Sequence, residues 1–283
     1  MSRVFLTECP RDALQGIKAF IPTDVKVKYL QSLLRVGYDV LDFGSFVSSK
    51  AVPQMRDTHE LVKQLDLSDT KTKLLAIVAN ERGAAEALSY DQISYIGYPF
   101  SISENFQMRN TNTTIEDSLL LLNRLVEHAS SVNRELVVYL SMGFGNPYGD
   151  PWSPALVADR VSRLVNMGVK RISLSDTVGL AQPKTITDLF EHLLQAYPDI
   201  VFGAHLHAKP NEATSKIKAA YAGGCRAFDS AIRGLGGCPM AKDELTGNVP
   251  TEKLLSFLTA QKAQFSVNML HFESAYNASL QVC

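Results

Sequence analysis

The stretch Val4-Phe5-Leu6-Thr7-Glu8-Cys9-Pro10-Arg11-Asp12-Ala13-Leu14-Gln15-Gly16 decides between two ways of building a parallel sheet. Val4–Thr7 reads as a short apolar strand. In a doubly wound nucleotide-binding sheet, the turn after the first strand carries closely spaced glycines that let the backbone approach a pyrophosphate. Pro10-Arg11-Asp12-Ala13 has none of them. A turn that brings a cation and a carboxylate to a strand end suits a barrel, where chemistry gathers at the carboxyl ends of the strands.

The same alternation continues downstream. Predicted strands follow at Val40–Phe43, Leu74–Val78, Ile93–Ile96, Leu136–Leu140, Ile172–Leu174, Val201–Leu206 and Ala227–Ser230. Several are unbroken apolar runs, as expected of parallel strands covered by helices on their outer face. Helical patterns lie between them. Thr23–Val36 has a capping Thr23 or Asp24, and Thr114–Ser130 repeats leucine at helical spacing. Ser153–Met167 opens with Ser-Pro and ends before Gly168, and Glu212–Tyr221 stops at a Gly-Gly pair. Thr251–Ala260 and Asn268–Leu280 add helix after the last strand. Eight strand–helix units in 283 residues, with no linker between them, predict one (β/α)8 TIM barrel over residues 1–283 with extra C-terminal helices. A barrel of this kind takes roughly 250 residues.

Composition narrows the function classes. Hydrophobic residues make up 46% and charged residues 20%, as in an ordinary globular chain, and the net charge is -1. No dense Lys/Arg stripe is present, so no nucleic-acid partner is expected. No apolar run approaches the ~20 residues of a membrane span. The N-terminus turns polar too early for a secretory or transit segment. Four cysteines, Cys9, Cys225, Cys238 and Cys283, form neither a disulfide framework nor a zinc pattern, which points to a reducing, cytoplasmic setting. Apolar C-terminal helices make a homodimer the expected assembly.

The polar residues at strand ends carry the chemistry. His205 and His207 alternate along one strand, so both imidazoles face one side and can hold a divalent ion together. The spacing alone leaves two core histidines as an equal alternative. Asp12 is a candidate third ligand and Arg11 a candidate oxyanion holder; in isolation the two also fit a surface ion pair. Arg233-Gly234-Leu235-Gly236-Gly237-Cys238-Pro239 is a mobile glycine loop bearing an acid/base thiol, or an ordinary turn. Asp176 is expected to enter the same mouth, with a helix cap or a histidine partner as the alternative.

Taken together, Pro10-Arg11-Asp12, Leu14-Gln15, Ser45-Phe46-Val47-Ser48, Val52-Pro53-Gln54-Met55, Ser173-Leu174, Asp176-Thr177, His205 with His207, Gly234-Leu235-Gly236-Gly237-Cys238-Pro239 and Gly247-Asn248 resemble the 3-hydroxy-3-methylglutaryl-CoA lyase family of the DRE-TIM metallolyase superfamily. The resemblance runs over nearly the whole chain. It implies cleavage of an acyl-CoA substrate to acetyl-CoA and acetoacetate, with Mg²⁺ or Mn²⁺ held by Asp12, His205, His207 and Asn248. It implies Asp12 or His205 as base, Arg11 at the thioester enolate, and Cys238 as the acid that protonates carbon. Asp42 and Asp176 complete the catalytic set, and Gln15, Gly236 and Gly237 contact substrate.

The chain also departs from that pattern. Ala13 replaces a glycine, Thr7 and Cys9 replace Glu and Gly, and Asp42 replaces a Glu. Asn146 stands for a cysteine, and Ala208-Lys209-Pro210-Asn211 stands for Asp-Thr-Tyr-Gly. These changes keep two other readings open: a lyase for a different branched 3-hydroxyacyl-CoA, and a relative that binds metal or acyl-CoA without turnover. A synthase of the isopropylmalate type is disfavoured, because such enzymes carry long C-terminal domains.

Overall fold

The computed structural model describes residues 3–237 and 246–282. The first half of the barrel runs β1 (Phe5–Glu8), α1 (Pro10–Gln15), α2 (Thr23–Val36), β2 (Val40–Ser45), α3 (Thr58–Gln64), β3 (Lys73–Ile77), α4 (Glu81–Leu88), β4 (Ile93–Ser101), α5 (Glu104–Thr111) and α6 (Ile115–Ser131). The second half runs β5 (Glu135–Ser141), α7 (Pro154–Asn166), β6 (Arg171–Asp176), α8 (Pro183–Ala196), β7 (Val201–Leu206), α9 (Ala213–Ala222) and β8 (Ala227–Ser230), followed by α10 (Thr251–Ala260) and α11 (Met269–Ser279). The eight strands pair in sequence order, all parallel, and β8 closes on β1.

Local signals set the helix limits. Ser153 accepts a hydrogen bond from the Leu156 N–H ahead of Pro154, and Thr114 does the same for Asp117. α2 ends at Gly37 in the left-handed region (φ 85°). The strand limits depart most at β4. The apolar pattern breaks at Gly97 and Pro99, yet the strand runs on to Ser101. Pairing with β3 stops at Gly97, so beyond it β4 has β5 as its sheet neighbour, and a proline is tolerated on such a free edge.

Two apolar layers hold the fold. The large one lies between strands and helices and includes Leu30, Leu33, Phe43, Tyr98, Phe190 and Phe228. A small one inside the barrel joins Leu75, Ile77, Tyr95 and Tyr139. It plugs the barrel below the mouth and leaves the carboxyl ends of the strands to polar side chains. α10 packs on α9 and α11 packs on α2, so the C-terminal helices join the end of the barrel to its start. Among the described residues, no helix is long and apolar enough to cross a membrane.

Two buried polar groups staple elements together. Lys26 Nζ donates to Asp57 Oδ1 at 2.5 Å and to the Gln54 carbonyl at 2.6 Å. Glu8 points outward from β1; its carboxyl accepts from the Ile232 N–H and the Thr251 hydroxyl, each at 2.7 Å. Full burial pushes the Glu8 carboxyl up to about 8, against the hydrogen bonds that favour its charge. A carboxyl raised on folding binds its proton more tightly in the folded state. Its contribution is therefore present at low pH and is lost as pH rises towards 8. Urea unfolding between pH 5 and pH 9 is expected to show the parent losing stability relative to Glu8→Gln up to about pH 8, with a constant difference above it. A difference independent of pH would contradict this.

Candidate functional site

α1 follows β1 after one residue, and Pro10 begins it, where a fixed φ and a missing N–H suit a first helical turn. That abrupt turn carries Arg11 and Asp12 into the barrel mouth. Asp42 comes from β2, where the register with β3 shifts between Asp42 and Gly44. Arg11 donates from Nε and Nη2 to Asp42 Oδ2, at 3.0 and 2.6 Å. Its Nη1 donates to Asp12 Oδ1 at 3.1 Å and Gln15 Oε1 at 3.0 Å. Gln15 in turn donates to Asp12 Oδ1 at 2.7 Å. Burial pushes the Asp42 carboxyl up to about 6, with Arg11 opposing. Burial also works against the Asp12 carboxylate, but there Arg11, the two histidines and the Asn248 hydrogen bond together outweigh it, and the carboxyl falls to about 2.

The histidines arrive from β7. One atom each of Asp12, His205 and His207 can be chosen so that all three lie within 4.8 Å of one another. The His205 and His207 rings stand 5.2 Å apart, and Tyr139 packs edge-on to His205. Burial, with the His205 charge, takes His207 down to about 4, so its ring is neutral at pH 7. Among the described residues, neither ring nitrogen of His207 has a hydrogen-bond partner, although the side chain is 2% exposed. A buried imidazole with both nitrogens unsatisfied is costly in water-free surroundings. A metal ion bound by this His–His–Asp set would supply what it lacks.

Asn248 reaches the site through backbone pairing. His207 and Asn248 form an antiparallel bridge, flanked by Ala208 N–H to the Gly247 carbonyl and Val249 N–H to the Leu206 carbonyl. Asn248 Nδ2 donates to Asp12 Oδ2 at 2.6 Å and to the Leu235 carbonyl. Its nitrogen therefore faces Asp12, and the amide must turn over before its oxygen can ligate an ion. Gly236 is pressed against the same pair. A Cβ there would lie 2.6 Å from Asn248 Nδ2 and 2.9 Å from the Asp12 carbonyl, at φ 105°. Gly236 also lines a second cleft with Lys209, Arg233 and Asn248. Gly237 is buried at the end of a described segment. Cys238 and Cys283 lie outside the described residues.

Beside these groups is a cavity of about 120 Å³, lined by Arg11, Asp12, Gln15, His205 and His207 on one side. Val47, Val52, Ile77, Phe106 and Tyr139 form an apolar wall, with Ser45, Ser141, Ser175 and Thr177 among them.

Asp176 corrects the expectation that it enters this mouth. It is buried away from the cavity, and its carboxylate accepts from the Ala181 N–H and from Lys216 Nζ at 2.6 Å. Lys216 also donates to the carbonyls of Gly179 and His207. The pair ties β6, β7 and α9 together and holds the His207 backbone. Asn146, one of the departures from the family pattern, shapes a loop: its Oδ1 accepts from the N–H groups of Tyr148 and Asp150.

Two residues with no role read from the sequence stand behind the histidines, one in contact with His205 and the other holding the first. Asp229 Oδ2 lies 3.1 Å from His205 Nδ1 and accepts from Ser173 Oγ at 2.9 Å. The signal was present, because Asp229 is a polar residue in the last predicted strand. Its neighbours became visible once β6, β7 and β8 were in register.

Comparison with known proteins agrees with this geometry. The HMGL-like family model matches residues 4–278. The human protein named 3-hydroxy-3-methylglutaryl-CoA lyase, cytoplasmic, is 34% identical over 262 residues, 92% of this chain and 70% of its own length. A solved hydroxymethylglutaryl-CoA lyase from Pseudomonas aeruginosa superposes with TM-score 0.90 at 32% identity, covering 99% of this chain and 93% of that one. An HMG-CoA lyase from Brucella melitensis does so with TM-score 0.90 at 28% identity, covering 100% and 99%.

Lys216→Met leaves the Asp176 carboxyl buried without its cation. It is expected to lower stability by about 3–5 kcal/mol, as when one member of a buried pair is removed. Urea unfolding measures this, and Asp176→Leu combined with Lys216→Met should recover part of the loss. No loss in the single variant would mean that the pair is not the staple.

Proposed function

The chain belongs to the HMGL-like family, and from that membership we propose that it is a carbon–carbon lyase cleaving 3-hydroxy-3-methylglutaryl-CoA to acetyl-CoA and acetoacetate. The observation that carries this is the meeting of Asp12, His205 and His207 within 4.8 Å, beside an Arg11 buried between two carboxylates. The barrel and its C-terminal helices act as one lyase domain.

A divalent ion, Mg²⁺ or Mn²⁺, fits the donor set of Asp12, His205, His207 and Asn248, with oxygen and imidazole ligands that suit either. When bound, it would take the substrate's tertiary hydroxyl and carboxylate and lower the hydroxyl pKa. Asp12 or His205 accepts the hydroxyl proton. The bond between C2 and C3 then breaks, releasing acetoacetate and leaving the enolate of acetyl-CoA. Arg11 stays charged at any working pH and is already oriented by Asp42 and Asp12, so it stabilises the enolate oxygen without reorganising. The Cys238 thiol protonates the enolate carbon, and the proton held by the base returns to the thiolate. Gln15, Gly236 and Gly237 contact the substrate.

A second reading has a different branched 3-hydroxyacyl-CoA as substrate. It is favoured by the apolar wall of Val47, Val52, Ile77 and Phe106 and by Ala208-Lys209-Pro210-Asn211 just past the histidines. A relative that binds without turnover would have no use for the Arg11 clamp. A homodimer is part of the same proposal, supported by Met269 and Leu270, 51% and 77% exposed on α11. So is a cytoplasmic setting, which suits the unpaired thiols of Cys9 and Cys225.

Purified protein with Mn²⁺ is expected to release acetyl-CoA from 3-hydroxy-3-methylglutaryl-CoA. Activity should vanish on chelation and return with Mg²⁺ or Mn²⁺; cleavage without any divalent ion would reject the metal role. If another branched 3-hydroxyacyl-CoA is cleaved in its place, the second reading holds. Arg11→Gln and Cys238→Ala should each lower kcat by roughly 10²–10³, the cost of removing one such group. Near-parental turnover in either variant would remove that residue from the mechanism.

A further inference from the structure

We propose that Asp229, through its contact with Nδ1, is the positioning residue that sets the tautomer and ring orientation of His205 for metal binding. The inference rests on the metal-dependent reading above, but not on the identity of the substrate.

The argument begins with strand register. His205 on β7 and Asp229 on β8 are direct partners across the parallel pair, so both side chains face the barrel interior at one level. Two residues earlier on β7 the inward position is Gly203, which pairs with Ser173 on β6. Gly203 has no side chain to stand between its neighbours. A Cβ there would lie 3.1 Å from Ser173 Oγ. Across that gap, Ser173 Oγ donates to Asp229 Oδ2 at 2.9 Å, and the same oxygen faces His205 Nδ1 at 3.1 Å.

A carboxylate offers acceptors only. With Asp229 ionised, Nδ1 must carry a proton to make this contact. In the neutral ring that leaves the lone pair on Nε2. His205 has one nitrogen that falls within 4.8 Å of ligand atoms of both Asp12 and His207, and with Nδ1 taken by Asp229, Nε2 is the nitrogen free to serve. A metal-bound histidine whose other nitrogen donates to a carboxylate is held in one tautomer and is made a stronger ligand. Among the described residues, no carboxylate is hydrogen-bonded to His207, both of whose nitrogens lack a partner there. Within those residues the two histidines therefore differ in kind, and His205 is the one that arrives preset. Ser173 sits one step further out and keeps Asp229 in place.

The test needs no substrate. In the parent protein with ¹⁵N-labelled histidine, titrated upward until the ring is neutral, His205, assigned by loss of its signal in His205→Gln, should show the Nδ1–H tautomer. Asp229→Asn keeps the shape but can offer Nδ1 an N–H as well as an oxygen. Manganese titration followed by electron paramagnetic resonance should then show Mn²⁺ affinity weakened 10- to 100-fold, and raising Mn²⁺ in proportion should restore occupancy. Ser173→Ala should weaken it less, leaving the carboxylate present. An Nε2–H tautomer in the parent overturns the proposal, and that result does not depend on any variant folding. Parental Mn²⁺ affinity in a folded Asp229→Asn protein overturns it too. Protein that passes both tests but leaves 3-hydroxy-3-methylglutaryl-CoA intact would reject the substrate and leave the role of Asp229 standing.

Discussion

The buried guanidinium of Arg11 is the constraint around which the mouth of this barrel is arranged. A charge taken out of water must be matched by opposite charge and by hydrogen bonds to its donors. Asp42 takes one edge of the guanidinium, and Asp12 with Gln15 takes the other. The same Asp12 then faces His207 and receives the Asn248 amide. Anion stabilisation and metal binding are thus joined in a single carboxylate, and neither half can move without the other. The β2 bulge, the abrupt β1–α1 turn and the contact of Gly236 with Asn248 all serve that one cluster.

A more remote layer of buried polar groups supports the cluster. Lys216 and Asp176 fix the backbone below His207, while Asp229 meets the His205 ring and is itself held by Ser173. Both devices link neighbouring strands at the same end of the barrel, where helix packing alone would leave side-chain orientation free. The apolar plug of Leu75, Ile77, Tyr95 and Tyr139 closes the space beneath. Charges above it therefore interact in low dielectric, where pairing is worth more than in water and an unpaired group costs more.

The departures from the family pattern fall into two kinds. Asp42 keeps its partner Arg11 despite a shorter side chain, and Asn146 orders a loop by bonding its own backbone neighbours. Ala208 through Asn211 are different. Ala208 is buried and bound to Gly247, while Lys209, Pro210 and Asn211 line the second cleft. They therefore alter the rim that a substrate must pass and leave the Asp–His–His cluster untouched.

Period and punctuation in the chain were enough for the barrel. Eight apolar runs separated by helical patterns have one economical closure, and each strand appears within a few residues of its expected place. Long β4 is the exception, because a proline at a free strand edge looks the same in sequence as a strand end. The H-x-H alternation and the Arg-Asp turn likewise marked the mouth, since strand geometry puts alternate residues on one face. Which polar groups meet there was settled only by tertiary structure. Asp176 and Asp229 look equivalent in the chain, each an acid at the end of a predicted strand. Asp176 turns to Lys216 outside the cavity, and Asp229 turns inward to His205. Asn248 reaches Asp12 across 236 positions because a bridge to His207 lays its segment along β7. Local pattern records the period of each strand and helix. The side to which a polar group is driven depends on which buried charge across the barrel is left to be matched, and that is a property of the closed barrel.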